Sequence, residues 1–320
     1  MAESKITKVV EAAKMYYELD YSQQKIAEKL GVSRPSVSRL LQQAKQEGIV
    51  NISIIDPNDN REKLAERLTT VFGLKHCIVT NVPQYNSENI KQSLGAVAAS
   101  YLTEIVKDGD IIGTTWGTTL YHLSQQLQPK NVKNVKVVQL NGGVTYSETN
   151  TYASEILNDL SKAFHTVPHF LPLPAVVDHA VVKEAILSDR HINSVLEMGN
   201  AANIALVTVG ALNDTSTLVN AGYFTNSDLK VLKNNGAVGD ICSRCIDING
   251  EISSNELDQR TIGLTLAELK KKEYGILIAG GSQKIEGIFG ALAGKYTNVL
   301  ITDQFTAKAL LEMEVNSSHE

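Results

Sequence analysis

The sequence predicts an α/β protein in which an N-terminal, winged helix-turn-helix at residues 1–56 precedes a doubly wound parallel-sheet domain at residues 57–320. Two amphipathic stretches that flank a glycine between residues 21 and 50 predict the first part. After residue 60, short apolar runs alternate with amphipathic stretches, as in parallel sheets covered by helices on both faces. The length of 320 residues is also about twice that of a typical domain.

The predicted helix-turn-helix has a start or stop signal at each helix end. Ser22 is placed to cap a helix over about 23–30, and Gly31 supplies the positive φ of the turn. Ser33 caps the second helix, and Pro35 falls in its first turn, where the missing N–H costs little. Apolar residues of both helices can share one small core.

The remaining side chains of this segment are hydroxyls, guanidinium groups and amides, which suit phosphates and base edges in a DNA major groove. A structural helical hairpin is the alternative. Residues 1–50 carry eight Lys or Arg against six Asp or Glu, whereas the whole chain has a net charge of −5. The basic bias therefore lies at the N-terminal end. The predicted DNA-binding residues are Gln23, Ser33, Arg34, Ser36, Ser38, Arg39 and Gln42.

Behind this segment, NISII at residues 51–55 predicts the strand of a wing, and Asp56–Arg61 predicts a hinge. The stretch Asn213–Leu266 is polar and rich in turns, and it predicts an inserted subdomain or a lid. The predicted strands are KHCIVTNV, IIGTTW, VKVVQL, ANIALVTVG, YGILIAGG and TNVLITD; the predicted helices are KLAERLTTVFG, SENIKQSLGAVAASYLTEIV, TTLYHLSQQL, TYASEILNDLSKAF and IFGALAG.

In open α/β sheets, ligands bind beyond the carboxyl ends of the strands. The predicted strand over IIG runs into residues 114–119, a turn rich in Thr and Gly whose N–H groups suit a phosphate. Acids are placed to hold sugar hydroxyls and cations to hold phosphate. Asp258 and Arg260 have a surface ion pair as their alternative role. The candidate residues at the other strand ends are Asn141, Gly142, Gly143, Asp240, Asp258, Arg260 and Lys284.

Other features limit the class of protein. No apolar run is long enough for a membrane span, and the N-terminus lacks a signal-peptide core, so we expect a cytoplasmic protein. Cys77, Cys242 and Cys245 are too few for a disulfide scaffold, and the default expectation for the C-x-x-C pair is small, partly buried residues. The histidines have no metal-ligand spacing, and we expect neither a metal nor a cofactor. Trp116 is equally consistent with the core and with a ligand wall.

At several long motifs the chain resembles the SorC family of bacterial sugar-responsive transcription regulators, and within it the deoxyribonucleoside-regulator branch. The motifs are YYELDYSQQKIAEKLGVSRPSVSRLL, DGDIIGTTWGTTLY, LPLPAVVD, AVGDICSR, DQRTIGLTLAELK and AGGSQKIEGIFGALAGKYTNVLITD. The resemblance implies an effector domain similar to sugar-phosphate isomerases and deaminases without their catalysis. It also implies a homotetramer on palindromic operator DNA that a phosphorylated sugar releases.

The resemblance assigns roles to particular residues. It places the sugar-side contacts at Asn141, Gly142, Gly143, Asp240, Asp258 and Lys284. The branch can carry a lysine where this chain has Asn141; an amide cannot form a Schiff base, so capture at that turn is not expected. The phosphate-binding turn maps to Gly113, Thr114, Thr115, Gly117, Thr118 and Thr119.

The resulting hypothesis is a non-enzymatic repressor, dimeric or tetrameric, whose effector is a phosphorylated sugar such as deoxyribose 5-phosphate. The first alternative is a sugar-phosphate isomerase or deaminase with an appended DNA-binding head, in which Asp240 or Asp258 would be the base. The second is an architectural DNA-binding protein without a ligand.

Overall fold

The computed structural model describes residues 2–50, 60–145, 147–213 and 216–317. It contains two compact units, Met1–Asp59 and Asn60–Glu320. The predicted wing strand at 51–55 and the predicted domain boundary after residue 56 lie outside the described residues, as does most of the predicted hinge.

The N-terminal unit has three described helices, α1 (Ala2–Tyr17), α2 (Gln23–Leu30) and α3 (Arg34–Gln46). The predicted caps are confirmed. Ser22 Oγ accepts from the N–H of Lys25, Gly31 has a φ of 63°, and Ser33 Oγ accepts from the N–H of Ser36. The sequence patterns used above did not predict α1.

Helix α1 completes the small core that was predicted between α2 and α3. Ile26 and Ala27 of α2 pack against Val37 and Leu41 of α3, and Ala12 of α1 closes the cluster. Two short helices alone bury too little apolar surface to hold their crossing, so α1 is what makes the unit compact.

The larger unit is built on a parallel sheet of seven strands in the order β1-β10-β9-β5-β2-β3-β4. This confirms the predicted mostly parallel α/β fold. The described strands are β1 (His76–Thr80), β2 (Ile111–Thr114), β3 (Lys136–Gln139), β4 (Pro168–His169), β5 (Ile204–Val207), β6 (Val209–Gly210), β7 (Gly239–Ile241), β8 (Arg244–Ile246), β9 (Tyr274–Ile278) and β10 (Val299–Asp303).

Helices lie on both faces of this sheet. A 3₁₀ turn at Ser282–Lys284 leads into the second-last of them. The described helices are α4 (Arg61–Phe72), α5 (Ser87–Ile105), α6 (Thr118–Ser124), α7 (Ala153–Ala163), α8 (Ala180–Leu187), α9 (Arg190–Ala201), α10 (Thr217–Asn220), α11 (Asn226–Asn234), α12 (Asn255–Arg260), α13 (Leu266–Leu269), α14 (Ile285–Ala293) and α15 (Gln304–Ser317).

Alternation along the strands separates the core into two layers. In β9, Ile276 and Ile278 belong to the layer under α5, α6 and α7, whereas Leu277 belongs to the layer under α4, α14 and α15. In β10, Ile301 and Leu300 divide in the same way. Successive side chains of a strand point to opposite faces, so apolar runs without alternation are required when both faces are covered.

The polar stretch predicted as a subdomain or lid belongs to the same compact unit as the sheet. Its hairpin β7–β8 pairs with β6, directly after β5, to form a small antiparallel sheet. The interruption of the strand–helix pattern therefore marks a second sheet that continues from the first.

Arg244 on this hairpin is buried, with 2% of its surface exposed. Its Nε donates to the carbonyl of Leu264 (2.9 Å), its Nη2 to the carbonyl of Gly263 (3.1 Å), and its Nη1 to the carboxylate of Asp258. Arg260 instead pairs with Asp228 at 2.6 Å. The alternative of an Asp258–Arg260 ion pair is therefore wrong, because each residue has another partner.

Among the described helices, none combines the length and the apolar character that crossing a bilayer demands.

Replacing Arg244 with alanine removes the hydrogen bonds from its guanidinium to Leu264, Gly263 and Asp258. We expect the Arg244→Ala variant to lose about 3 kcal/mol of unfolding free energy, the low end of the range for a broken buried pair, since the carboxylate of Asp258 is one-third exposed. Urea unfolding followed by the fluorescence of Trp116, the only tryptophan, measures the larger unit. The exposed Arg67 provides the control, and equal loss in Arg67→Ala would contradict this role.

Candidate functional site

Helix α3 has one buried face and one exposed polar face. Val37, Leu41 and Ala44 are buried. On the exposed side, the side chains of four polar residues make no hydrogen bond or ion pair with the described residues. Guanidinium, hydroxyl and amide groups at helical spacing form a face of the kind that reads a major groove. The predicted residues on this exposed face of α3 are Arg34, Ser38, Arg39 and Gln42.

The other predicted DNA-binding residues lie where two helices begin. The hydroxyl of Ser33 caps α3 and lies 2.8 Å from the hydroxyl of Ser36, which is half-buried. Gln23 is the first residue of α2 and is also half-buried. Ser33 therefore has a structural role whether or not it contacts DNA, which remains a prediction.

A cavity of about 460 Å³ lies at the carboxyl ends of four neighbouring strands of the large sheet, β9, β5, β2 and β3. The residues after β2 and β9 form two of its sides, the start of α5 contributes a third, and the β7–β8 hairpin contributes a fourth. Parallel strands bring their carboxyl ends to one edge, which is why residues far apart in sequence meet here.

The structure brings most of the predicted effector residues to this cavity. They come from the turn into α6, the end of β3, the hairpin and the 3₁₀ turn after β9. The predicted residues that line the cavity are Thr115, Gly117, Thr118, Thr119, Asn141, Asp240 and Lys284.

Six predicted residues do not line the cavity. Asp258 is bound to Arg244, and Arg260 is bound to Asp228. Gly113 lies inside β2, and Thr114 is fully buried with its hydroxyl donating to the carbonyl of Thr115. A Cβ on Gly142 would lie 2.1 Å from the carbonyl oxygen of Pro174, and Gly143 donates its N–H to the carbonyl of Leu173, so both glycines serve backbone packing.

Two lysines provide the positive charge of the cavity. Lys91 of α5 and Lys284 both line it, and neither ammonium forms an ion pair with a carboxylate of the described residues. Burial and then the charge of Lys91 lower the pKa of Lys284 to about 8, against a smaller opposing effect of Asp240. Two unpaired cations at one site favour an anionic ligand.

Asp240 is the acidic group of the cavity. Burial raises the pKa of its carboxyl to about 6, and the charge of Lys284 and the N–H of Ser243 reduce that rise. Its Oδ1 is packed against the backbone of Gly210, where an added Cβ would lie only 2.1 Å away. This oxygen has no hydrogen-bond partner among the described residues.

Asn141 and Thr208 also carry buried polar atoms that have no hydrogen-bond partner in the part of the chain that the structure describes. Both residues line the cavity, and the atoms are Asn141 Oδ1 and Thr208 Oγ1. Buried polar atoms are almost always paired, and leaving one unpaired costs about 1–3 kcal/mol. Together with Oδ1 of Asp240, three such oxygens surround the cavity. They favour a ligand with several hydroxyl groups.

Trp116 is buried in the core and also lines the cavity. Only 7% of its surface is exposed, and its Nε1 donates to the carbonyl of Gly142 at 2.7 Å. It also lines the cavity, so it is a core residue with one edge in the wall.

Burial raises the pKa of the cavity-lining Cys242 thiol to about 12, so this group is a thiol rather than a thiolate nucleophile.

Comparisons with known proteins find relatives for both parts of the chain. Residues 56–312 match the family described as "Putative sugar-binding domain", and residues 7–67 match the Crp-like helix-turn-helix domain. The deoxyribonucleoside regulator of Bacillus subtilis (strain 168) is 50% identical over 302 residues, which cover 94% of this chain and 96% of that protein.

The sorbitol operon regulator of Klebsiella pneumoniae is 31% identical over 309 residues, with 95% of this chain and 97% of the relative covered. The crystal structure of full-length SorC from Klebsiella pneumoniae has a TM-score of 0.77 at 29% identity, covering 96% of this chain and 98% of that one.

The chain belongs to the SorC family.

Its relatives in the SorC family are named as transcription regulators, which confirms the predicted family and the prediction that the chain is not an enzyme. The helix-turn-helix implies DNA binding and the larger unit implies a sugar effector.

Sequence reasoning missed several residues of this SorC-family cavity. Thr208 follows a buried strand without any turn signal, and Lys91 lies within a long helix pattern. Ser243 stands in the C-x-x-C segment, where attention falls on the cysteines. Tyr85 and Asn86 precede α5 in a polar loop. Of these, only Asn86 had a local signal, as the cap of α5.

Asp240 should make folding depend on pH. Its folded-state pKa of about 6 lies above the ordinary 3.8, so the folded protein binds this proton more tightly and stability falls as pH rises from about 4 to about 6. We expect Asp240→Asn to raise the Tm by roughly 2–4 °C at pH 7.5.

The difference between wild type and Asp240→Asn should shrink as the pH approaches 4, measured by thermal unfolding across the range. Asp178 is exposed and serves as the control substitution. A constant difference at all pH values would contradict a raised pKa in Asp240.

Proposed function

We propose that this SorC-family protein is a transcriptional repressor in the cytoplasm whose operator binding is relieved by a phosphorylated sugar, such as deoxyribose 5-phosphate. It acts as a homo-oligomer, a dimer or a tetramer, on palindromic DNA. The observation that carries the proposal is the pair of unpaired lysines in a cavity whose other polar groups need hydroxyl partners.

The phosphate is assigned to the side of the cavity between the lysines and the start of α6. Thr118 and Thr119 at the start of α6 line the cavity, and their hydroxyl groups can donate to phosphate oxygens. Lys91 and Lys284 supply the charge. An uncharged sugar would leave both ammonium groups desolvated and unpaired.

The sugar is assigned to the part of the cavity around Asn141, Asp240 and Thr208, whose buried oxygens have no hydrogen-bond partner among the described residues. The amide of Asn141 cannot form an imine with an aldehyde, so binding at this position is non-covalent. The relative from Bacillus subtilis is named a deoxyribonucleoside regulator, which favours a deoxyribose-derived effector among phosphorylated sugars.

In this proposal the exposed face of α3 binds the operator DNA. An effector changes DNA affinity only if it binds the DNA-free and DNA-bound arrangements of the oligomer with different affinity. In a homo-oligomer on palindromic DNA, the spacing of two recognition helices must match two half-sites, so a change in subunit arrangement is sufficient to release DNA.

A thermal-shift screen tests the proposal. Deoxyribose 5-phosphate, ribose 5-phosphate, deoxyribose and inorganic phosphate are added separately, with and without an operator selected from a random double-stranded DNA pool. We expect a phosphorylated sugar to raise the Tm more than deoxyribose or phosphate alone, and to release the operator. No Tm rise with any sugar phosphate, or tighter operator binding on addition, would contradict the proposal.

Two substitutions should separate sugar-phosphate binding from operator binding. Lys284→Met should weaken sugar-phosphate binding about tenfold or more, because a charged hydrogen bond is lost, while operator affinity stays unchanged. Arg39→Ala should weaken operator binding by about 1–3 kcal/mol and leave sugar-phosphate binding unchanged. Calorimetry and gel-shift titration measure the two affinities.

Controls use exposed lysines of each unit, Lys308→Met and Lys14→Ala. Loss of both activities in either test variant would contradict the assignment of the two functions to separate units.

A further inference from the structure

The turn that joins β7 to β8 has an unusual backbone for its residues. Ile241 pairs with Arg244, so the loop contains only Cys242 and Ser243, whose φ angles are 54° and 63°. Two-residue hairpin turns of this hand prefer Asn-Gly, since other residues cost roughly 1–2 kcal/mol each in the left-handed region. The strained turn is located at the cavity wall.

Ser243 contacts both polar residues that flank it in the cavity. Its Oγ accepts a hydrogen bond of 2.7 Å from Nδ2 of Asn141, and its backbone N–H supports the carboxylate of Asp240. Asn141 and Asp240 are 2% and 8% exposed, and they come from different strands, at the end of β3 and within β7.

The hydrogen bond from Asn141 to Ser243 determines which atom of the amide remains without a hydrogen-bond partner among the described residues. With Nδ2 engaged, the free group is Oδ1, a buried acceptor with no partner among the described residues. An acceptor fixed in this way needs a donor such as a hydroxyl. A ligand without a hydroxyl at that position leaves Oδ1 unpaired and binds more weakly.

We propose that Ser243 is a positioning residue that fixes the amide of Asn141, so that the cavity selects an effector with a hydroxyl group directed at Asn141 Oδ1. This proposal rests on the proposed function, since it concerns the sugar side of the same cavity. Ser243 orients the selecting group, and the contact with the effector is made by Asn141.

Two substitutions of Ser243 separate the hydroxyl from the backbone strain. Ser243→Ala removes the hydroxyl and keeps the strain, whereas Ser243→Gly removes both, because glycine adopts a φ of 63° without cost. The alanine variant should be less stable than wild type, and the glycine variant should have a Tm close to that of wild type. Both should bind the effector about tenfold more weakly, as for one lost hydrogen bond.

The probes are ribose 5-phosphate, 2-deoxyribose 5-phosphate and arabinose 5-phosphate, with Kd measured by calorimetry. The spread among their affinities should narrow in Ser243→Gly. Lys295, exposed and at a φ of 53° outside the cavity, gives the matched control: Lys295→Gly relieves similar strain and should leave every Kd unchanged.

A double-mutant cycle completes the test. If Ser243 acts through Asn141, the variant Asn141→Ala/Ser243→Gly should bind no more weakly than Asn141→Ala alone. Additive losses, or unchanged affinities in Ser243→Gly, would overturn the positioning role while leaving the proposed function intact. If wild type binds none of the three sugar phosphates, the proposed function fails, and the selection assigned to Ser243 fails with it.

Discussion

The buried guanidinium of Arg244 links two segments beside the sugar side of the cavity, the β7–β8 hairpin with Ser243 and the end of β3 near Asn141. It follows the β7–β8 turn directly and donates to the carbonyls of residues 263 and 264. The N–H of Leu264 in turn bonds to the carbonyl of Leu140 at the end of β3. Because every donor of a buried guanidinium needs an acceptor, hairpin, loop and strand end keep one register, and Ser243 meets Asn141.

The groups that serve the cavity are not the groups that stabilise the fold. Asp240 and Lys284 both have pKa values displaced toward their neutral forms by burial. The cavity oxygens of Asn141, Thr208 and Asp240 also lack hydrogen-bond partners among the described residues. Arg244 and the apolar layers stabilise the fold enough to offset these costs. A ligand that supplies the missing hydrogen-bond partners would recover this free energy on binding.

Much of the architecture could be predicted because it depends on local chemistry. Ser22, Gly31 and Ser33 act on their own backbone within a few residues, so their caps are readable from the chain. Strand ends could also be placed near one another, since parallel strands share an edge. Asn141, Asp240 and Lys284 were predicted to lie together on this ground, and they line one cavity.

Charge pairing and the exact lining of the cavity could not be predicted in this way. Asp258 lies in the same kind of polar sequence as Asp240, yet in the folded chain it forms an ion pair with Arg244, fourteen residues earlier. Thr208 and Ser243 reach the cavity only because β5 continues into β6 and pairs with the hairpin.

By itself, the sequence determined the helix-turn-helix, the parallel α/β sheet and the edge of the sheet at which the cavity lies. These follow from periodicity and from capping, which act over short distances along the chain. Tertiary structure alone decided which carboxylate stays unpaired, which hydroxyl orients Asn141 and which lysines share a cavity. Those outcomes depend on contacts between residues distant in sequence, whose partners only the packed chain can select.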